Sequence, residues 1–160
     1  MFNPHPPLTG FPFVLLVLLA GVEFFRVGLR RPGLDRTAEL LLVVLAIAAP
    51  LTFLTGYLAA SQADQSFKID PEVIERHRAI GRLLIISLVP MVLAAYLRRA
   101  AMLRTGRHSA VLNSIYLSLL FVSLALAILT GYRGGGLVFE YGAGVRAPIT
   151  NPAGTDAPIR

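Results

Sequence analysis

Four blocks of apolar residues, at 11–29, 40–60, 79–97 and 111–130, constrain this chain more than any other feature. Each comes close to the roughly 20 residues that a helix needs to cross a bilayer core. Within lipid the backbone must satisfy its own hydrogen bonds, which for blocks of this length means helix. The expectation is an all-α integral membrane protein, a four-transmembrane-helix bundle. Composition agrees: 55% of the residues are hydrophobic and 15% charged, with a mean hydropathy of +0.67, well beyond an ordinary soluble domain.

The net charge of +6 would suit a nucleic-acid binder if the arginines formed a stripe on a soluble face. They gather instead at the ends of the apolar blocks, which excludes nucleic acid as a partner and makes the lipid bilayer the first one. Arg26 lies in the last turn of the first block with Arg30, Arg31 and Arg36 just beyond it, and Arg98, Arg99, Arg104 and Arg107 follow the third. By the positive-inside rule those connections are cytoplasmic. Both termini and the segment 61–75 then face outward, into the periplasm if the membrane is a bacterial inner membrane. The first block has no basic region ahead of it, so it reads as an uncleaved span and not as a signal peptide.

Between the blocks, punctuation is clear. The opening MFNPHPPLTG is proline-rich and is expected to lack regular helix, with Pro12 in the first turn of the first span. Arg30-Arg31-Pro32-Gly33 reads as a turn, with Asp35 or Thr37 as a cap for the second span. Asp70-Pro71-Glu72 reads as a helix start. Pro50 and Pro90 fall inside the second and third spans and each removes one helical hydrogen bond. The four-span domain is expected to cover 1–145, with 146–160 an irregular tail; everything from Gly131 onward is glycine- and proline-rich and carries no span of its own.

Halves of the chain repeat one another. Leu54-Thr55-Gly56-Tyr57 closes the second span and Leu129-Thr130-Gly131-Tyr132 the fourth. Ahead of each runs the same order: a histidine, an apolar block, a paired arginine and a second apolar block. His5, Arg30-Arg31 and Tyr57 answer to His77, Arg98-Arg99 and Tyr132. A duplicated helical hairpin follows, its two copies parallel and related by a pseudo-two-fold axis along the membrane normal.

This duplication makes His5 and His77 equivalent positions on the outer side. Only three histidines and no cysteine occur, so metal or haem chemistry has few ligands to draw on, and covalent c-type haem attachment is excluded. Two imidazoles facing one another could hold a b-type haem axially. Copper, or zinc with Asp64, Asp70 or Glu72, is chemically open too. Arg82, about one turn beyond His77, could neutralise a haem propionate or extend outward to the interface. On the bland reading His5 is a loop residue, His77 an interfacial helix-start residue, and no cofactor binds. His108, among arginines on the other side, reads as an exposed loop residue.

Other polar residues fit packing. Glu23 and Arg26 share a helix face and should form a local ion pair. Thr52, Thr55, Gly56 and Ala59 make a small-residue stripe suited to helix contact, as do Asn113, Ser114, Ser118 and Ser123 in the fourth span. Gly134-Gly135-Gly136 lacks the lysine of a phosphate loop and is expected to turn the backbone sharply, as a lid over the histidines or as a plain exit from the last helix. No nucleophile, base and orienting group stand together, so independent catalytic activity is not expected, and the spans lack the polar pathway of a transporter.

The chain resembles a bacterial four-span membrane family, domain of unknown function 2231. The likeness rests on His5-Pro6-Pro7-Leu8 with Phe11-Pro12, on His77-Arg78-Ala79-Ile80-Gly81, and on Gly131-Tyr132-Arg133-Gly134-Gly135-Gly136-Leu137-Val138 running to Gly142-Ala143-Gly144-Val145. It implies a redox role, because members occur alone or joined to Rieske-type or cytochrome-type partners. The family usually has a second histidine where this chain has Gly10, and commonly one in the closing motif where it has Tyr141. Together these readings point to an integral membrane subunit of a redox or electron-transfer complex, with His5, His77 and Arg82 at a haem site near the outer face. The expected partners are membrane or periplasmic redox subunits, with oligomerisation open. The alternative is a cofactor-free structural subunit or scaffold.

Overall fold

The computed structural model describes residues 5–29, 33–67 and 69–143. Its elements are a single turn α1 (His5–Leu8), α2 (Gly10–Glu23) continuing through a π-helical turn (Phe24–Gly28), α3 (Asp35–Phe67), α4 (Pro71–Thr105) and α5 (Ala110–Phe139). No strand occurs among the described residues. Among the described residues, four helices are long and apolar enough to cross a membrane, as the apolar blocks require.

Each long helix packs against its neighbours in sequence, and α5 closes on α2, so the four form a ring in the order α2, α3, α4, α5. Neighbours are antiparallel because the connections are short. Helices α2 and α4 are therefore diagonal and parallel, as are α3 and α5, which is the arrangement that a duplicated hairpin demands. Leu16, Leu19, Leu45, Met91 and Leu120 fill the axis with essentially no exposure. The outer surface is equally apolar: Leu40, Ile86, Val89 and Phe121 each expose more than 60% of their surface. Large apolar side chains on both sides of a helix are what lipid permits and water does not.

Helices run further than the apolar blocks. The second continues to Phe67, the third starts at Pro71, where Asp70 accepts the Glu72 amide at 2.9 Å, and the fourth continues to Phe139. Pro50 and Pro90 lie inside their helices, as expected. Asp35 sits in the first turn of α3, not ahead of it as a cap.

Two expectations need correction. Residues 5–8 of the proline-rich opening do form a helical turn, closed by the Thr9 amide on the His5 carbonyl at 3.1 Å. Pro6 and Pro7 fall in its first positions, where no amide donor is needed. Gly131 and Gly134 to Gly136 do not turn the backbone. They are helical, and α5 carries them to its end. The sharp turn comes later, at Gly142, whose φ of 72° is left-handed and whose amide returns to the Val138 carbonyl at 3.0 Å. Glycine is a poor helix former in water, but in a membrane helix it lets a neighbour approach closely. The tail at 146–160, and Arg30-Arg31, lie outside the described residues.

Candidate functional site

The ring brings the starts of α2 and α4 and the ends of α3 and α5 to one end of the bundle, the histidine end. His5 leans from α1 onto α3. Its Nδ1 lies 3.3 Å from the Thr55 hydroxyl, and the Thr52 carbonyl also faces the ring. Thr55 has one hydroxyl proton and points it at the Thr52 carbonyl, 2.9 Å away. The His5 ring is thus held against α3 by the Thr55 hydroxyl and the Thr52 carbonyl together. Burial holds the His5 pKa below the usual histidine value of 6.5, opposed in part by the Thr52 carbonyl.

His5 can sit there because position 56 is glycine. A Cβ at Gly56 would stand 2.5 Å from the imidazole Cε1 and 3.0 Å from Nε2. His77, near the start of α4, makes the matching contact with α5: a Cβ at Gly134 would stand 3.0 Å from its Cε1. The Thr130 carbonyl lies beside this ring, yet Nδ1 of His77 is buried and has no hydrogen-bond partner among the described residues. The two imidazoles are within electrostatic range of each other.

These contacts set the register of the repeat. Thr52 and Gly56, four residues apart on one face of α3, hold His5; Thr130 and Gly134, with the same spacing on α5, hold His77. Gly56 therefore answers to Gly134, and not to Gly131 as the repeated Leu-Thr-Gly-Tyr words suggest. The difference is three residues, nearly one helical turn.

The other proposed ligands are occupied elsewhere. Arg82 binds Glu75 at 2.6 Å, and both are about half exposed. Five residues of helix turn Arg82 well away from the face that His77 presents. Asp70 caps α4 and Glu72 pairs with Arg76. Asp64 lies outside the described side chains. No group of three histidine, cysteine, aspartate or glutamate residues converges among the described residues. A donor set of two imidazoles, one with an orphaned buried nitrogen, matches in number the axial pair of a haem and falls short of a zinc cage.

The opposite, arginine end carries a cluster that the sequence showed only in part. Glu23, 1% exposed, takes Arg26 at 2.6 Å, as its spacing predicts, and also Arg98 of α4 at 3.0 Å. The Arg98 guanidinium lies 4.1 Å over the Tyr116 ring and reaches Asn113. One carboxylate thus joins α2 to α4 across the ring. The π-helical turn, closed by the Leu29 amide on the Phe24 carbonyl at 3.2 Å, begins immediately after Glu23. Between the ends, the Ser87 and Ser123 hydroxyls meet at 2.9 Å. Ser123 packs inward as expected, whereas Ser114 and Ser118 face outward.

Among curated proteins and among solved structures, no match was found. The family described as predicted membrane protein (DUF2231) matches residues 2–147, which takes in both histidines, both glycine notches and all four spans. The chain belongs to that family of four-span membrane proteins.

Proposed function

We propose that this protein is a membrane subunit of an outward-facing electron-transfer complex and that His5 and His77 would together hold one b-type haem. The observation that carries this reading is the orphaned Nδ1 of His77, buried within electrostatic range of a second, half-buried imidazole. Unpartnered buried nitrogens are costly, and a ligand is one way to satisfy them. Bound there, the haem would supply one-electron chemistry. The protein's part is to present the two imidazoles, to position the His5 ring through Thr55, and to exclude water with the apolar axis below. The concentration of Arg26, Arg36, Arg98, Arg99, Arg104 and Arg107 at the far end supports placing the histidine end outside, with both termini in the periplasm of a bacterial inner membrane. Electron donor and acceptor would then both be partners on that side.

A reduced-minus-oxidised visible spectrum of protein purified under haem-replete conditions tests this, with His5→Ala and His77→Ala beside it. A b-type spectrum lost in both variants is expected. A featureless spectrum would leave the second reading, a cofactor-free scaffold, which is favoured by the way both ring edges fill glycine notches as packing groups.

A further inference from the structure

At the arginine end, a cleft of about 380 Å³ opens between α3 and α4. Its polarity is graded along the helices. Asp35 and Glu39 in the first turns of α3, and Arg98 and Arg99 near the end of α4, line the outer part. Val43 and Val92 line the inner part, roughly 6 to 12 Å deeper at 1.5 Å per residue. Val43 and the adjoining Tyr96 are 57% and 68% exposed on the lipid-facing side. Polar at the membrane surface and apolar toward the midplane is the profile of a phospholipid lying along the bundle.

The mouth carries both signs of charge. Arg99 and Glu39 pair across it at 2.9 Å, each nearly half exposed, and Arg26 meets Asp35 at 3.3 Å. A purely anionic head group would gain the arginines and face two carboxylates. A head group with a phosphate and a primary ammonium can meet both, exchanging the Arg99–Glu39 pair for two ion pairs of its own. We infer that this cleft binds one amine-bearing phospholipid, its phosphate on Arg99 and its ammonium on Glu39, its acyl chains running past Val43 and Val92.

The test is native mass spectrometry of the delipidated full-length protein after exposure to vesicles containing equal amounts of phosphatidylethanolamine, phosphatidylcholine and phosphatidylglycerol. One phosphatidylethanolamine adduct is expected, in about fivefold excess over either competitor, the scale of one partly exposed ion pair. Glu39→Gln should abolish the preference over phosphatidylcholine, and Arg99→Ala should lower occupancy by all three lipids. Val43→Trp, on the lipid-facing surface, should block the cleft without touching the ion pairs and lower occupancy likewise. The absence of a single-lipid adduct, a preference for phosphatidylglycerol, or an unchanged preference in Glu39→Gln would overturn the inference.

Discussion

Glu23 and Arg98, 75 residues apart, share a buried ion pair that ties the first half of the chain to the second. Arg98 contacts both carboxylate oxygens, at 3.0 and 3.3 Å, while Arg26 holds Oε2 through two nitrogens at 2.6 and 2.8 Å. Removing the carboxylate leaves the nearly buried Arg98 guanidinium without its counter-charge and Arg26 with only the longer contact to Asp35, at 3.3 Å. Uncompensated buried charge costs far more than a surface pair returns. Glu23→Gln is therefore expected to destabilise the bundle by about 3 kcal/mol, measured by denaturant unfolding in micelles. Arg99→Ala, which breaks only the half-exposed pair with Glu39, should cost under about 1 kcal/mol.

The two glycine notches should respond unequally to a methyl group. At Gly56 the new Cβ would lie 2.5 Å from His5, and α1 is a single turn of four residues. Gly56→Ala should expel the ring and release the N-terminal segment, seen as faster amide exchange at Thr9 with little change in the rest of the bundle. At Gly134 the gap is 3.0 Å and His77 belongs to a 35-residue helix that cannot leave. Gly134→Ala should instead cost about 1 to 3 kcal/mol of global stability, as overpacking does.

Docking of α1 should depend on pH. The docked His5 ring has a lowered pKa because burial disfavours its charge, whereas the undocked ring titrates near 6.5. Between those two values the undocked form binds more protons, so docking weakens as pH falls through 6.5 and is at full strength above it. Limited proteolysis between residues 5 and 10 across pH 5 to 8 should show cleavage increasing on acidification. His5→Phe, which cannot titrate, should remove that dependence; an unchanged profile in this variant would show that another group controls docking.

Four helical spans and the pairing of Glu23 with Arg26 were legible in the sequence, because each follows from block length or from spacing on one helix. Arg98 was not: its link to Glu23 is made by the diagonal of the ring, which no local pattern records. The helical course of Gly131 to Gly136 was hidden for a different reason. Glycine propensities describe helices in water, and here His77 fills the space beside Gly134. The histidine pair was visible through the repeated order of landmarks, but the register was not. The matched words Leu-Thr-Gly-Tyr place Gly56 opposite Gly131, whereas the imidazole contacts select Gly134, since a side chain recognises a face and not a word.

The Ser87–Ser123 contact gives the last test, because it asks whether a hydrogen bond in the middle of the bundle stabilises it or merely fits. Ser123 is fully buried, and the Ser87 hydroxyl also lies 2.8 Å from the Leu84 carbonyl of its own helix. If Ser123 is replaced by alanine, Ser87 keeps that carbonyl, so no polar group is left stranded. Interhelical hydrogen bonds in membranes average about 0.6 kcal/mol when measured by double-mutant cycles. The coupling between Ser87→Ala and Ser123→Ala should fall near that value. Ser123→Leu makes the contrasting case, since it adds three carbons where there is no exposed surface. Its expected cost is about 1 to 3 kcal/mol, through displacement of α4 from α5. A Ser123→Leu variant as stable as Ser123→Ala would mean that the α4–α5 interface is loosely packed at this level, contrary to the close approach of the two hydroxyls.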